Sequence, residues 1–169
     1  MRKTLLIVLA FGIGYGFGTV AFATDNYITG SVESRCLITT DTPGVYGNPL
    51  PQKLSTAVAD GGVLPKVRVT VTLADAYKAK ITTPVGFSSS PALSDSVAWT
   101  GSTIVASTSD AGMSGYEAAK VVYDASTEFD LTVAGSTWFT SESAANFGYD
   151  KSFPGGNYTA IVTAECFAK

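Results

Sequence analysis

Val67, Val69, Val71 and Leu73 alternate with Arg68, Thr70 and Thr72. A two-residue period of this kind puts one set of side chains on each face of an extended chain, and a helix cannot keep it on one side. The same period returns at Phe129, Leu131 and Val133, set against Glu128, Asp130 and Thr132. It returns again at Tyr158, Ala160, Val162, Ala164 and Cys166, which share one face of the last segment. Shorter strand candidates are Lys80 to Thr82, Val97 to Thr100, Thr103 to Ser107 and Tyr116 to Tyr123. Turn signals separate these segments: Pro43-Gly44, Gly47-Asn48-Pro49, Asp60-Gly61-Gly62, Ser88 to Pro91, Gly101, Gly112 and Pro154-Gly155-Gly156. Helix formers gather only in Leu73 to Ala79 and Tyr116 to Val122, stretches too short to stand alone. With no internal repeat, long linker or charge block, the pattern predicts a single-domain, all-β sandwich.

The N-terminus bears on the compartment. Arg2 and Lys3 precede an apolar run from Leu5 to Val20, and Ala21-Phe22-Ala23 fits a small-x-small cleavage site. Residues 1–23 therefore read as a signal peptide, with the mature chain starting at Thr24 and leaving the cytoplasm. The rival reading is a retained anchor, because the run is near the lower limit for a bilayer span of roughly 17 residues. Gly12, Gly14, Gly16, Gly18 and the cleavage site favour removal. Cleavage leaves 146 of the 169 residues, enough for one core, and moves the formal charge from −3 to −5. An acidic chain without a basic run does not make a surface for nucleic acid or anionic lipid.

In an oxidising compartment Cys36 and Cys166 default to a disulfide, and only one pairing exists if the bond is intramolecular. Such a bond closes almost the whole domain in one loop, an effect of about 5 kcal/mol on the chain-entropy model.

The chain contains no histidine. The usual general base near neutral pH is missing, and with it the Ser-His-Asp and Cys-His arrangements of acyl transfer. Asp124, Glu128 and Asp130 lie close in sequence, but Glu128 and Asp130 fall on the polar face of an expected strand, where a solvated edge is the better reading than a carboxylate pair. No run of Asp-x-Asp-x-Asp-Gly type is present to hold calcium. An enzyme is not expected, nor is a metal or cofactor. Trp99, Trp138, Tyr116, Tyr123 and Tyr149 are the rings from which a glycan platform would be built, although aromatic residues more often fill a core.

Behind the leader, Tyr27 to Glu33 reads as one more strand, with Ile28, Gly30, Val32 and Ser34 on one face and Tyr27, Thr29, Ser31 and Glu33 on the other. A lone strand cannot satisfy its backbone groups, so a sheet must receive it, in its own subunit or in a neighbour. Ile28-x-Gly30-x-Val32 followed by Cys36 resembles the N-terminal extension of chaperone-usher pilins, the donor-strand-exchange subunits of bacterial fimbriae. Gly156-Asn157-Tyr158 leading to Lys169 is similar to that family's last strand. Val97 to Gly101, Gly115 to Ala119, Phe129 to Val133 and Gly155 to Tyr158 follow the order seen in enterobacterial colonisation-factor major pilins.

The resemblance implies an immunoglobulin-like sandwich that lacks its last strand and is completed by residues 24–35 of a neighbour. Residues 36–169 would form the sandwich. Its acceptor would be built from Lys53 onward, with Tyr158, Ala160, Val162 and Ala164 lining the groove. The implied function is a structural subunit of an extracellular fimbria supporting adhesion or biofilm formation. The implied partners are identical subunits in a homopolymer, a periplasmic chaperone, an outer-membrane usher and a host or surface receptor. The competing expectation is a self-complemented secreted adhesin whose first strand folds into its own sandwich and whose exposed aromatics bind glycans.

Secreted protein should begin at Thr24. Intact-mass spectrometry of material from outside the cytoplasm checks this, and a mass that retains residues 1–23 would support the anchor instead.

Overall fold

Ten strands appear among the described residues of the computed structural model, which covers 29–148 and 151–169. In chain order they are β1 Cys36–Thr42, β2 Gly47–Leu50, β3 Lys53–Ser55, β4 Lys66–Val71, β5 Tyr77–Thr82, β6 Val97–Thr108, β7 Val121–Tyr123, β8 Ser126–Leu131, β9 Gly135–Phe147 and β10 Thr163–Ala168. The one α-helical segment among the described residues, α1, is the single turn Tyr116–Ala119. Val32–Lys169 form one compact unit. The unit ahead of it, Met1–Ser31, lies almost wholly outside the described residues, as do the expected signal peptide and Ile28. None of the described helices is long and apolar enough to cross a membrane.

The strands form two antiparallel sheets, in keeping with the all-β expectation. The first has the order β1-β4-β9-β3-β2, with β6 on the opposite flank of β9. The leading half of β9 pairs with β4, Gly135 to Thr140 against Val71 to Lys66, and its trailing half pairs with β3. Along the other flank β6 pairs with it from Val97 to Thr108. The second sheet runs β10-β5-β8-β7.

The apolar faces of both sheets meet in one core. Val67, Val69, Val71 and Phe139 come from the first sheet, and Ala79, Ile81, Phe129 and Leu131 from the second. The Phe129 and Phe139 rings sit 4.5 Å apart across the interface. Met113 and Tyr116 close one side. Removing such side chains from water stabilises the fold by about 1.5–3 kcal/mol each.

The expected strands around Val67 and Phe129 are β4 and β8, but they stop at Val71 and Leu131. Beyond Val71 the chain turns, with Asp75 at a φ of 59°. Val97 to Thr100 and Thr103 to Ser107 are one strand, β6, because Gly101 continues it. A Cβ at Gly101 would lie 2.4 Å from the Thr83 Oγ1, so a side chain there would collide with the facing segment. The last segment starts its ladder late. Tyr158 to Val162 lie outside β10, with only a bridge from Thr159 to Ser89. Thr163 faces Thr82, so the same register carried two residues further would set Ile161 against Pro84. Proline has no N–H to offer the ladder, and the pairing ends before it.

Cys36 and Cys166 form a disulfide across 130 residues, with their Cα atoms 6.4 Å apart. It joins β1 of the first sheet to β10 of the second.

Phe129→Ala should cost about 3–5 kcal/mol, because the ring is fully buried between the sheets. Denaturant unfolding measures this, and a loss under about 1 kcal/mol would contradict the core described here.

Candidate functional site

β1 pairs only with β4, and β10 only with β5, so each is an edge strand. Both edges lie on the same side of the core, tied by the Cys36–Cys166 bridge. Among the described residues no strand covers either outer edge. Backbone donors and acceptors along such edges are open to pairing with another chain.

The inward face along these edges is under-filled. Cys36, Ile38 and Thr40 stand opposite Val71, Val69 and Val67, so they point to the same side of the sheet. Val69 is 1% exposed, whereas its partner Ile38 is 36% exposed. On the other edge Tyr158, Ala160, Val162, Ala164 and Cys166 alternate with exposed neighbours, and each is only half-buried. The matching inward positions on β5, Ala79 and Ile81, are fully buried. Apolar side chains are present on both sides of the gap, and among the described residues no layer lies over them.

Two cavities occupy the gap. One of about 260 Å³ lies between Thr40 and Gly44 on one wall and Ala160 to Val162 on the other, with Val67 and Tyr46 beneath. The second, about 410 Å³, continues past Gly44 and Tyr46 to Gly156, Tyr158 and Ala160. Gly44, Tyr46 and Ala160 line both, so the cavities form one groove. A bulge after Thr40 and the proline at 84, which also lines the groove, explain locally why the two edges do not close on each other.

The floor is polar but satisfied. Tyr46 Oη lies 3.2 Å from Ser143 Oγ. The Thr56 and Ser143 N–H groups donate to the Ser143 carbonyl and to the Thr56 Oγ1, each at 2.9 Å. Burial raises the pKa of the Tyr46 hydroxyl above its ordinary 10.0, and the Ser143 hydrogen bond offsets this in part. The floor therefore stays neutral at physiological pH. No Asp, Glu, Lys or Arg lines either cavity, so the groove offers neutral shape and backbone pairing rather than acid-base chemistry. Among the described residues there is also no cluster of three metal-ligating side chains.

The far end of the groove is held by aromatic rings. Phe87 lies 4.7 Å from Trp99, 5.0 Å from Tyr158 and 5.9 Å from Phe153, while Phe147 stacks on Phe153 at 5.2 Å. Tyr158 Oη donates to the Pro154 carbonyl at 2.6 Å.

Of the residues expected to line an acceptor, Ala160 and Val162 border the first cavity, and Tyr158 and Ala160 the second. Ala164 packs on the core beside them. The N-terminal residues lie elsewhere. Glu33 and Arg35 are fixed by Thr72: its Oγ1 donates to the Glu33 carbonyl at 3.0 Å and accepts the Arg35 N–H at 2.9 Å. Ser34 Oγ donates to Tyr77 Oη at 2.7 Å. Val32 is 80% exposed, Gly30 is exposed, and residues 29–35 carry no strand.

Among the described residues, the rings named for a glycan platform do not gather. Trp99 joins the aromatic cluster, and Tyr116 is buried with its Oη accepting the Val133 N–H at 2.8 Å. The Trp138 indole N–H donates to Asp41, Tyr123 stands on β7, and Tyr149 lies outside the described residues. Sequence reading missed Ile38, Tyr46, Pro84 and Phe87. Only Pro84 carried a signal, as a ladder breaker beside a strand candidate. No family model, curated protein or solved structure matches the chain.

Phe87→Ala should release the segment around Gly155-Gly156 and lower stability by about 1–2 kcal/mol, less than for a core ring because Phe87 is only half-buried. Limited proteolysis with mass spectrometry should then find faster cleavage there, and an unchanged cleavage pattern would remove the ring cluster as the anchor.

Proposed function

We propose that this protein is a structural subunit of an extracellular surface fibre, assembled by strand donation in the manner of chaperone-usher pilins. The fold is then an immunoglobulin-like sandwich missing its final strand. Residues 24–35 of one subunit, led by Ile28, Gly30, Val32 and Ser34, fill the groove between β1 and β10 of the next. The reading rests on the groove itself, with two open strand edges flanking an apolar face that nothing covers among the described residues.

An inserted strand pairs with these edges and covers that face at once, the strand-addition mode of recognition. Burying Ile28 and Val32 would contribute about 1.5–3 kcal/mol each, beside the backbone ladder. Gly30 lets the donor backbone approach the groove wall closely. The exposure of Val32 speaks against the self-complemented alternative, in which this side chain would already be covered. Donor and acceptor are different parts of one chain, so the contact is heterologous and propagates as a filament instead of closing into a dimer. Export through the periplasm, a chaperone that shields the groove before assembly and an outer-membrane usher complete the reading.

Deleting residues 24–34, or substituting Val32→Asp, should abolish fibres in negative-stain micrographs while leaving secreted, disulfide-bonded protein. Normal fibres from either variant would remove strand donation. A wild-type protein that runs as a stable monomer and binds a glycan array would favour the self-complemented adhesin.

A further inference from the structure

We infer that Thr72 and Tyr77 hold residues 33–35 on their own subunit, so that the chain donated to a neighbour ends at Val32 and Ser34 does not enter the groove. The inference rests on the strand-donation reading and narrows it, with residues 24–32 of a second copy as the occupant of the groove.

The ladder between β1 and β4 is carried past its last paired residues, Cys36 and Val71. One step further the Thr72 N–H donates to the Arg35 carbonyl at 3.1 Å. In an ordinary antiparallel pair the return bond would run from the Arg35 N–H to the Thr72 carbonyl. Here the Arg35 N–H donates to the Thr72 hydroxyl at 2.9 Å. That hydroxyl has one proton and gives it to the Glu33 carbonyl at 3.0 Å. Between these two residues, Ser34 Oγ donates to Tyr77 Oη at 2.7 Å. Thr72 directly follows β4 of the first sheet, and Tyr77 opens β5 of the second. Residues 33–35 are therefore tied to both sheets, immediately ahead of Cys36 and its bridge. The compact unit of the fold begins at Val32, one residue before these bonds.

These bonds compete with insertion. A strand lying between two edges offers its backbone groups to both of them. The Arg35 N–H is already committed to Thr72 of its own subunit. Ser34 would also have to give up its Tyr77 partner to lie against an apolar face, which disfavours a hydroxyl left without a hydrogen bond. Val32 has no such conflict, being apolar and 80% exposed. The side chains that cross are then those of Ile28 and Val32, with Gly30 between them. Holding residues 33–35 also removes slack, because three extended residues reach roughly 10 Å. That length stays on the donor's own sheets, and the junction between subunits falls at Val32. Thr72 and Tyr77 are thus positioning residues for assembly.

A photoreactive aliphatic diazirine side chain, placed singly at position 32 or 34 of the full-length precursor, tests this. At position 34 it removes the bond to Tyr77 but leaves those of Thr72. Fibres carrying each probe are irradiated, dissociated in hot detergent with reductant and separated by size, and the linked sites are mapped by mass spectrometry. The probe at 32 should turn monomers into a covalent ladder, with links to β1 or to residues 158–164 of a neighbour. The probe at 34 should leave monomers, linked internally to residues 72–77. A ladder from position 34, or the lack of that internal link, would overturn the anchoring while a ladder from position 32 left strand donation standing. No ladder from position 32 would overturn strand donation and the anchoring with it. Thr72→Val should give the probe at 34 a ladder of its own, and Thr72→Ser, which keeps the hydroxyl, should not. Equal behaviour of these two variants would remove the role of the Thr72 hydroxyl. If Thr72→Val does not fold, the contrast between positions 32 and 34 decides.

Discussion

The Cys36–Cys166 bridge joins the two sheets where each ends in an edge strand, paired on one side only among the described residues. Without it, the contact between β1 and β10 would depend on half-filled apolar faces and a ladder that Pro84 cuts short. The bridge holds both edges to the core at one end and leaves them apart at the other. On the chain-entropy model the closure of so long a loop contributes about 5 kcal/mol, a contribution of the kind a domain with an uncovered core face needs.

The two sides of the protein treat their edges differently. On the side away from the bridge, β6 is also an edge strand, but part of it is occupied. The Val105 N–H donates to the Glu117 carboxylate at 2.9 Å, and the Lys120 ammonium donates to the Thr103 carbonyl at 3.3 Å. Both side chains belong to the single-turn helix α1 and the residue after it, and they pair with each other. Edge strand β7 is only three residues long. Short strands and charged side chains along an edge are how soluble proteins avoid unwanted pairing. The approach to β10, residues 158–162, carries no charged side chain, and on β1 the one charged residue, Asp41, is turned to Arg68 and Trp138 of its own sheet. The described residues thus leave one side of the fold guarded and the other open.

Legibility in the sequence followed the physics of each element. β4 and β8 were readable because one face is buried and the other wet, which makes apolar and polar residues alternate. β9 was not readable, though it pairs with β3, β4 and β6. Phe139 to Ser141 and Ser143 to Ala145 are buried in succession, because both faces of this central strand are covered and small residues fill it. Burial on both faces erases the period. The Tyr158-to-Cys166 face was readable as an alternation, yet its first half is not a strand, because the ladder also depends on Pro84 some 75 residues earlier in the chain.

By itself the sequence determined an all-β chain without histidine chemistry, a single possible intramolecular disulfide and an alternating N-terminal segment in search of a sheet. These are local properties: residue type, spacing and the number of thiols. Only the tertiary structure decided that β1 and β10 are both edges on one side of the core, that among the described residues their inward faces are uncovered, and that the bridge ties the two edges together. Those facts depend on which strands pair and in what register, and pairing across 130 residues is set by packing that no window of sequence contains.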